Sequence, residues 1–248
     1  FGASSGEPSC FGPAVVAGSP CTNVNKSTKD TDFTHKLNLT YEFSDDAMVY
    51  ATWATGFRPG GVNRRGTLPP YGPDSLDNYE FGWKTSFAGR KVRWNGAIYQ
   101  LNWSDVQLSL LGQSGLTQIQ NAGKARIRGI ETDISVRQGG FSFGAGMSYN
   151  DAKLTFPFCD KITTSNTCAT PAGNSVLAPS GTRLPVSAKF KGNATVRYEY
   201  SLGGMDAHIQ MAVNHIGKRS SDLRTFENSI TGIFGAYTTA DLSLGVEK

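Results

Sequence analysis

Alternation with a period of two residues runs through this chain for ten residues and more at a time, and its recurrence leaves few folds open. In 33–43, FTHKLNLTYEF, one parity carries Phe33, His35, Leu37, Leu39, Tyr41 and Phe43, and the other carries Thr34, Lys36, Asn38, Thr40 and Glu42. In 188–200, AKFKGNATVRYEY, the apolar parity is Ala188, Phe190, Gly192, Ala194, Val196, Tyr198 and Tyr200. Side chains of a strand point alternately to opposite faces, so each segment reads as a strand with one apolar and one polar face. The same split recurs in 47–57, 78–88, 140–150, 205–217 and 237–247. Segments 91–103 and 125–137 are less regular, because Arg126 and Arg128 share parity with Ile130, Ile134 and Val136. A bulge, or a strand that outruns its apolar zone, explains the exception.

This gives nine strands of about 10 to 13 residues, whereas strands of soluble proteins are usually five or six. A tilted strand needs about that greater length to cross a bilayer. The links alternate as well. Short ones at Ser44–Asp46, Gly89–Arg90, Gln138–Gly139 and Ser201–Gly204 take turns with long ones at 58–77, 104–124, 151–187 and 218–236. A soluble β-sandwich has no reason to gather its long loops at one end, whereas short turns on one side and long loops on the other mark an outer-membrane barrel. Lipid offers no hydrogen-bond partner, so such strands pair only with one another. Aromatic residues near strand ends, Phe33, Phe43, Phe57, Tyr79, Phe87, Tyr198 and Tyr200, then form interface girdles. Nine is odd, and an open sheet in lipid would leave two bare edges, so the chain is expected to be part of a larger barrel. The division expected is an extracellular segment over 1–32, then transmembrane strands with long extracellular loops over 33–248.

Composition agrees. Charged residues are 18% and glycines 29 of 248, below and above ordinary soluble usage. No stretch approaches 18 apolar residues, which excludes helical spans, and the first residues carry no signal-like basic region. The net charge of +4 is spread along the chain without a basic arm, so nucleic acid is not an expected partner. Cys10 with Cys21 and Cys159 with Cys168 fall as two close pairs in Pro/Gly/Ser/Thr/Asn-rich stretches and read as local loop disulfides of an oxidising compartment. Free thiols and zinc ligation are the alternatives, the latter with His35, His208 and His215 far off in sequence.

Several segments resemble the C-terminal part of TonB-dependent outer-membrane receptors. YATWATGFRPGGVN at 50–63 and NAGKARIRGIETDISV at 121–136 are the most specific, supported by DNYEFGWKTSF at 77–87 and TTADLSLGVEK at 238–248. The resemblance implies an all-β, antiparallel barrel of about 22 strands with a plug in its lumen. The nine strands here would be the twelfth to twentieth, with the plug and the two closing strands absent from this chain. It also implies the bacterial outer membrane, active uptake of a scarce solute such as a ferric siderophore, and energy from a TonB–ExbB–ExbD complex acting on the missing plug. Other metal chelates, cobalamin and saccharides are carried by relatives. A passive porin-like channel and a soluble binding module are the competing readings.

Catalysis and a resident cofactor find no support. The histidines are scattered, and His208, two residues from Asp206 on the polar face, has no Ser or Cys motif beside it. Ligand contacts are better sought in the long loops. Loop 58–77 gathers Arg58, Arg64 and Arg65 with Tyr71, and loop 218–236 adds Lys218, Arg219 and Arg224. Guanidinium forks suit the carboxylate or catecholate oxygens of an anionic chelate. Contact with lipopolysaccharide phosphates, or simple solvation, would account for the same arginines.

Overall fold

The computed structural model describes residues 24–64, 68–111, 117–159 and 175–247. In chain order these contain β1 (Lys36–Ser44), β2 (Ala47–Arg58), β3 (Asp74–Phe87), β4 (Val92–Ser104), β5 (Gln107–Leu111), β6 (Thr117–Asn121), β7 (Lys124–Gln138) and β8 (Phe141–Leu154). They continue with β9 (Phe158–Cys159), β10 (Val176–Ala178), β11 (Phe190–Leu202), β12 (Met205–Ile216), β13 (Arg219–Ser220), helix α1 (Thr225–Thr231), β14 (Ile233–Phe234) and β15 (Tyr237–Glu247). Nine of them form one antiparallel sheet in the order β1-β2-β3-β4-β7-β8-β11-β12-β15. These nine are the strands read from the alternation. Among the described residues, no helix is long and apolar enough to cross a membrane.

The register carries the apolar parity across the whole sheet. Leu39 lies opposite Ala51, Ala51 opposite Phe81, Phe81 opposite Ile98, Ile98 opposite Ile130, Ile130 opposite Tyr149, and Tyr149 opposite Phe190. Nearer the short turns, Val136, Phe143, Val196, Met211 and Leu242 make a second row. Most of these side chains are exposed, Leu242 at 68%. A continuous apolar face of that extent does not persist in water, so it is the face that meets lipid. From Phe141 to Tyr149 is about 27 Å along the strand. A tilt of 35–45° reduces this to just over 20 Å, close to the apolar band of about 25 Å on outer-membrane barrels.

The irregularity in β7 has a clear cause. Pairing of β7 with β8 runs without a shift from Gln138 opposite Phe141 to Ala125 opposite Leu154, so there is no bulge. Above Ile130 the outward parity becomes polar. Gln100, Arg128 and Asp151 form one row, and Asn102, Arg126 and Lys153 form the next. The strands simply outrun the lipid zone. For the same reason β3 begins at Asp74 and β8 ends at Leu154, beyond the expected 78–88 and 140–150. At the other extreme, β1 starts at Lys36 and not at Phe33.

Bulky rings are seated on cross-strand glycines. Tyr50 lies opposite Gly82, Trp83 opposite Gly96, Tyr99 opposite Gly129 and His208 opposite Gly245. In each pair a β-carbon on the glycine would occupy the space of the ring. Each glycine thus serves a close approach, and the ring covers the backbone it leaves bare.

Candidate functional site

In a sheet with one face to lipid and one to a lumen, no core lies between layers. The buried apolar residues gather instead beyond the long-loop end of the strands, where Val106, Ala122, Leu154, Phe158, Ala178 and Leu223 pack together. Ala125, Ala152 and Leu154 come from the strand parity opposite to Arg126 and Lys153, so the loop cluster sits over the lumen side. The long loops are also not structureless. β5 pairs with β6, β9 with β10 and β13 with β14, all antiparallel.

Polar side chains pin this assembly. Asp74, only 4% exposed, accepts from Arg58 Nε at 3.2 Å, from Arg58 Nη2, from Trp103 Nε1 at 3.0 Å and from the Gln107 N–H at 3.1 Å. The Arg58 guanidinium also lies 5.7 Å from the centre of the Trp103 ring. A buried carboxylate is tolerable only when its oxygens are filled in this way. Asn63, likewise buried, bonds the Ile119 backbone in both directions, at 3.0 and 2.8 Å. Asn121 accepts from the Gly72 N–H at 2.8 Å and donates to the Asp105 carbonyl at 2.7 Å. The two segments that carried the family resemblance thus hold the residues, Arg58, Asn63 and Asn121, that fasten loop 58–77 to the β5–β6 hairpin.

A second cluster stands at the far side of the sheet. Arg224 grips Asp222 through Nε and Nη2 at 3.1 and 2.9 Å, and its Nη1 reaches Glu227 at 2.9 Å. Burial pushes the Asp222 carboxyl up, but hydrogen bonds from the Arg224 side chain and from the Arg224 and Leu223 N–H groups outweigh it and hold it below the ordinary range. Its contribution is therefore complete above the unfolded value of about 3.9 and is lost as pH falls through the lower folded value. Amide protection across 221–232, taken relative to the intrinsic exchange rate at each pH, is expected to be unchanged from pH 7 to pH 5 and to fall below about pH 4. An Asp222→Asn variant is expected to show lowered protection at every pH.

Beside this cluster lies a cleft of about 400 Å³ lined by Arg183, Lys218, Arg219, Asp222 and Asn228, among others. Arg219 stacks over Phe234 and Tyr237, at 5.2 and 5.8 Å from the ring centres. Its Nη1 is buried with no hydrogen-bond partner among the described residues.

The sequence-derived ligand candidates therefore separate. Arg58 and Arg224 spend their guanidinium groups on protein carboxylates, while Arg64 is exposed on its loop and Arg65 lies outside the described residues. Tyr71 exchanges both backbone hydrogen bonds with Gly61 and lays its ring against that glycine. The loop 58–77 group and the loop 218–236 group are not brought into contact, since five strand steps, about 24 Å, separate β3 from β12. Asp74, Asn121 and Arg183 did not stand out in the sequence, because Asp and Asn near Gly and Pro read as turn residues. Cys159 is fully buried and disulfide-bonded, and Cys10, Cys21 and Cys168 lie outside the described residues. No group of three metal-ligating side chains occurs among the described residues.

The profile of the family described as "TonB dependent receptor-like, beta-barrel" matches residues 12–247. The pesticin receptor of Yersinia enterocolitica is 26% identical over 239 residues, covering 93% of this chain and 31% of the relative. The chain thus spans about a third of the length of the curated relatives it matches. The solved ferric yersiniabactin uptake receptor FyuA from Yersinia pestis superposes with a TM-score of 0.63 at 23% identity, covering 85% of this chain and 29% of that one. The ferric-catecholate import receptor Fiu from K12 E. coli gives 0.64 at 18% identity, over 98% and 32%.

Proposed function

This chain belongs to the TonB-dependent receptor β-barrel family, a family of outer-membrane receptors and not of enzymes, and we propose that the full-length protein takes up a ferric siderophore. Solved relatives named for uptake of ferric yersiniabactin and for import of ferric catecholates support that substrate class. The observation within this chain that carries the reading is the cleft of Arg183, Lys218 and Arg219, with a buried guanidinium nitrogen lacking a partner. The three cations outnumber Asp222 in the cleft, which suits the oxygens of an anionic chelate, and charge-assisted bonds of that kind are about twice as strong as neutral ones. Arg219 and Lys218 then contact the chelate from one side of the mouth, and Arg64, Arg65 and Tyr71 from the other. Arg58 and Arg224 act by holding their loops in place. Uptake proceeds past a plug, with energy from the TonB–ExbB–ExbD complex.

The test is uptake of ⁵⁵Fe-loaded siderophores by cells carrying the intact gene. Uptake is expected to vanish when TonB is deleted, while surface binding persists. Arg219→Gln is expected to weaken binding about tenfold, the loss of one charged hydrogen bond. Uptake that survives without TonB would sink the active-transport reading in favour of a passive channel.

A further inference from the structure

On the lipid-facing side, above the apolar band, five cations (Lys124, Arg126, Arg128, Lys153 and Lys189) collect against two acids, Asp77 and Asp151. The first four follow from the register of β7 and β8, and Lys189 is placed there by its ammonium, 5.1 Å from the Tyr149 ring centre. Asp151 is engaged by Lys153 at 2.8 Å, and Arg128 Nε donates to Gln100 Oε1 at 2.7 Å. The excess is positive and points away from the lumen. No protein element covers it among the described residues.

Directly below on the same face lies an open apolar groove of about 640 Å³, bordered by Trp94, Ile134, Met147, Phe190, Ala194 and Val213. Gly192 and Ala145 form part of its floor, where small side chains leave the sheet surface dented between larger ones. From Ile134 up to Arg128 is six residues of β7, about 20 Å along the strand, or about 15 Å of depth after tilt. That is half of a hydrocarbon core of about 30 Å, the thickness of one leaflet.

We propose that this face is a docking site for a phosphorylated, multiply acylated lipid of the outer leaflet. Its phosphate sits on the collar of Arg126, Arg128, Lys153 and Lys189, and one acyl chain fills the groove between Trp94 and Phe190. The guanidinium forks of Arg126 and Arg128 suit phosphate oxygens. Each cation near an anionic surface is drawn to it, so the collar gains most when lipid phosphates lie at its height. The site is separate from the loop cleft and does not depend on which solute is transported.

The full-length receptor, purified in a nonionic detergent, is mixed with bisphosphorylated lipid A, with its enzymatically dephosphorylated form and with inorganic phosphate, and retained lipid is read by native mass spectrometry. Lipid A is expected to stay bound, the dephosphorylated form to bind at least tenfold more weakly, and inorganic phosphate not to displace it at millimolar concentration. The combined variant Arg126→Gln/Arg128→Gln/Lys153→Gln is expected to lose at least tenfold in retention, with siderophore binding unchanged. The single variant Arg126→Gln, expected to lose about threefold, serves if the combination does not fold. Ala194→Trp, which fills the groove without touching the collar, is expected to weaken lipid retention at constant charge. Equal binding of the dephosphorylated lipid, or displacement by inorganic phosphate, overturns the proposal, as does full retention by the combined and Ala194→Trp variants.

Discussion

Asp74→Ala is expected to open the loop assembly while leaving the sheet beneath it intact. The carboxylate fills four donor contacts from three residues, and its removal strands the Trp103 Nε1–H and the Gln107 N–H in a buried place. Arg58 is half exposed and regains water, so the cost falls below that of a fully buried pair, at about 2–3 kcal/mol. That energy multiplies the open population about 30- to 150-fold. Proteolysis of intact outer membranes and amide exchange across 104–111 and 117–123 read the change directly. Heat-modifiable migration of the barrel is expected to stay as in the wild type. Because the freed hairpin no longer fixes loop 58–77, chelate affinity is expected to fall with it. Arg58→Ala is expected to cost at least as much as Asp74→Ala, since it leaves the buried Asp74 carboxylate without its counter-charge and with only the Trp103 and Gln107 donors. If loop exchange in Asp74→Ala matches the wild type, the carboxylate is not what holds the assembly.

Met147→Lys is expected to destabilise the barrel by about 2–4 kcal/mol, whereas Ser148→Lys, one residue on, is expected to stay within about half of 1 kcal/mol. Met147 lies in the apolar parity, with Thr132 and Gly192 opposite it, three-quarters of the way along β8 from Phe141 to Tyr149. An ammonium there faces hydrocarbon. Ser148 points to the other face, opposite both Glu131 and Lys191, where water and charge are already present. Urea titration of the full-length receptor refolded into phospholipid vesicles separates the two. Equal costs at the two positions contradict the assignment of faces.

The strands were legible because lipid enforces parity. Wherever a side chain meets hydrocarbon, every second residue is apolar, and β1, β2, β11, β12 and β15 follow the rule from end to end or nearly so. Legibility failed where the same strands leave the lipid. Nothing in Arg126 or Lys153 distinguishes the top of a strand from the start of a loop once water borders both faces. The small hairpins within the long links were missed for a related reason. β9 and β13 are two residues long, too short to display any period. The loop arginines could be recognised as a class but not sorted. Arg58 and Arg224 have carboxylate partners 16 residues and two residues away, and Arg219 has aromatic rings, and only the folded arrangement decides which is which.

The unbroken pairing of β7 with β8 through the polarity switch has a mechanical side. Membranes vary in thickness, and a spanning segment that ends at the interface must tilt or stretch to follow them. Here the strands pass the interface as a stiff palisade and end well above it, so a thicker or thinner leaflet only moves the waterline along β8. The spacing between the pins at Asp74, Asn63 and Asn121 stays as built. The loop assembly is thereby insulated from the bilayer it stands above, and its geometry need not change when the cell remodels its lipids.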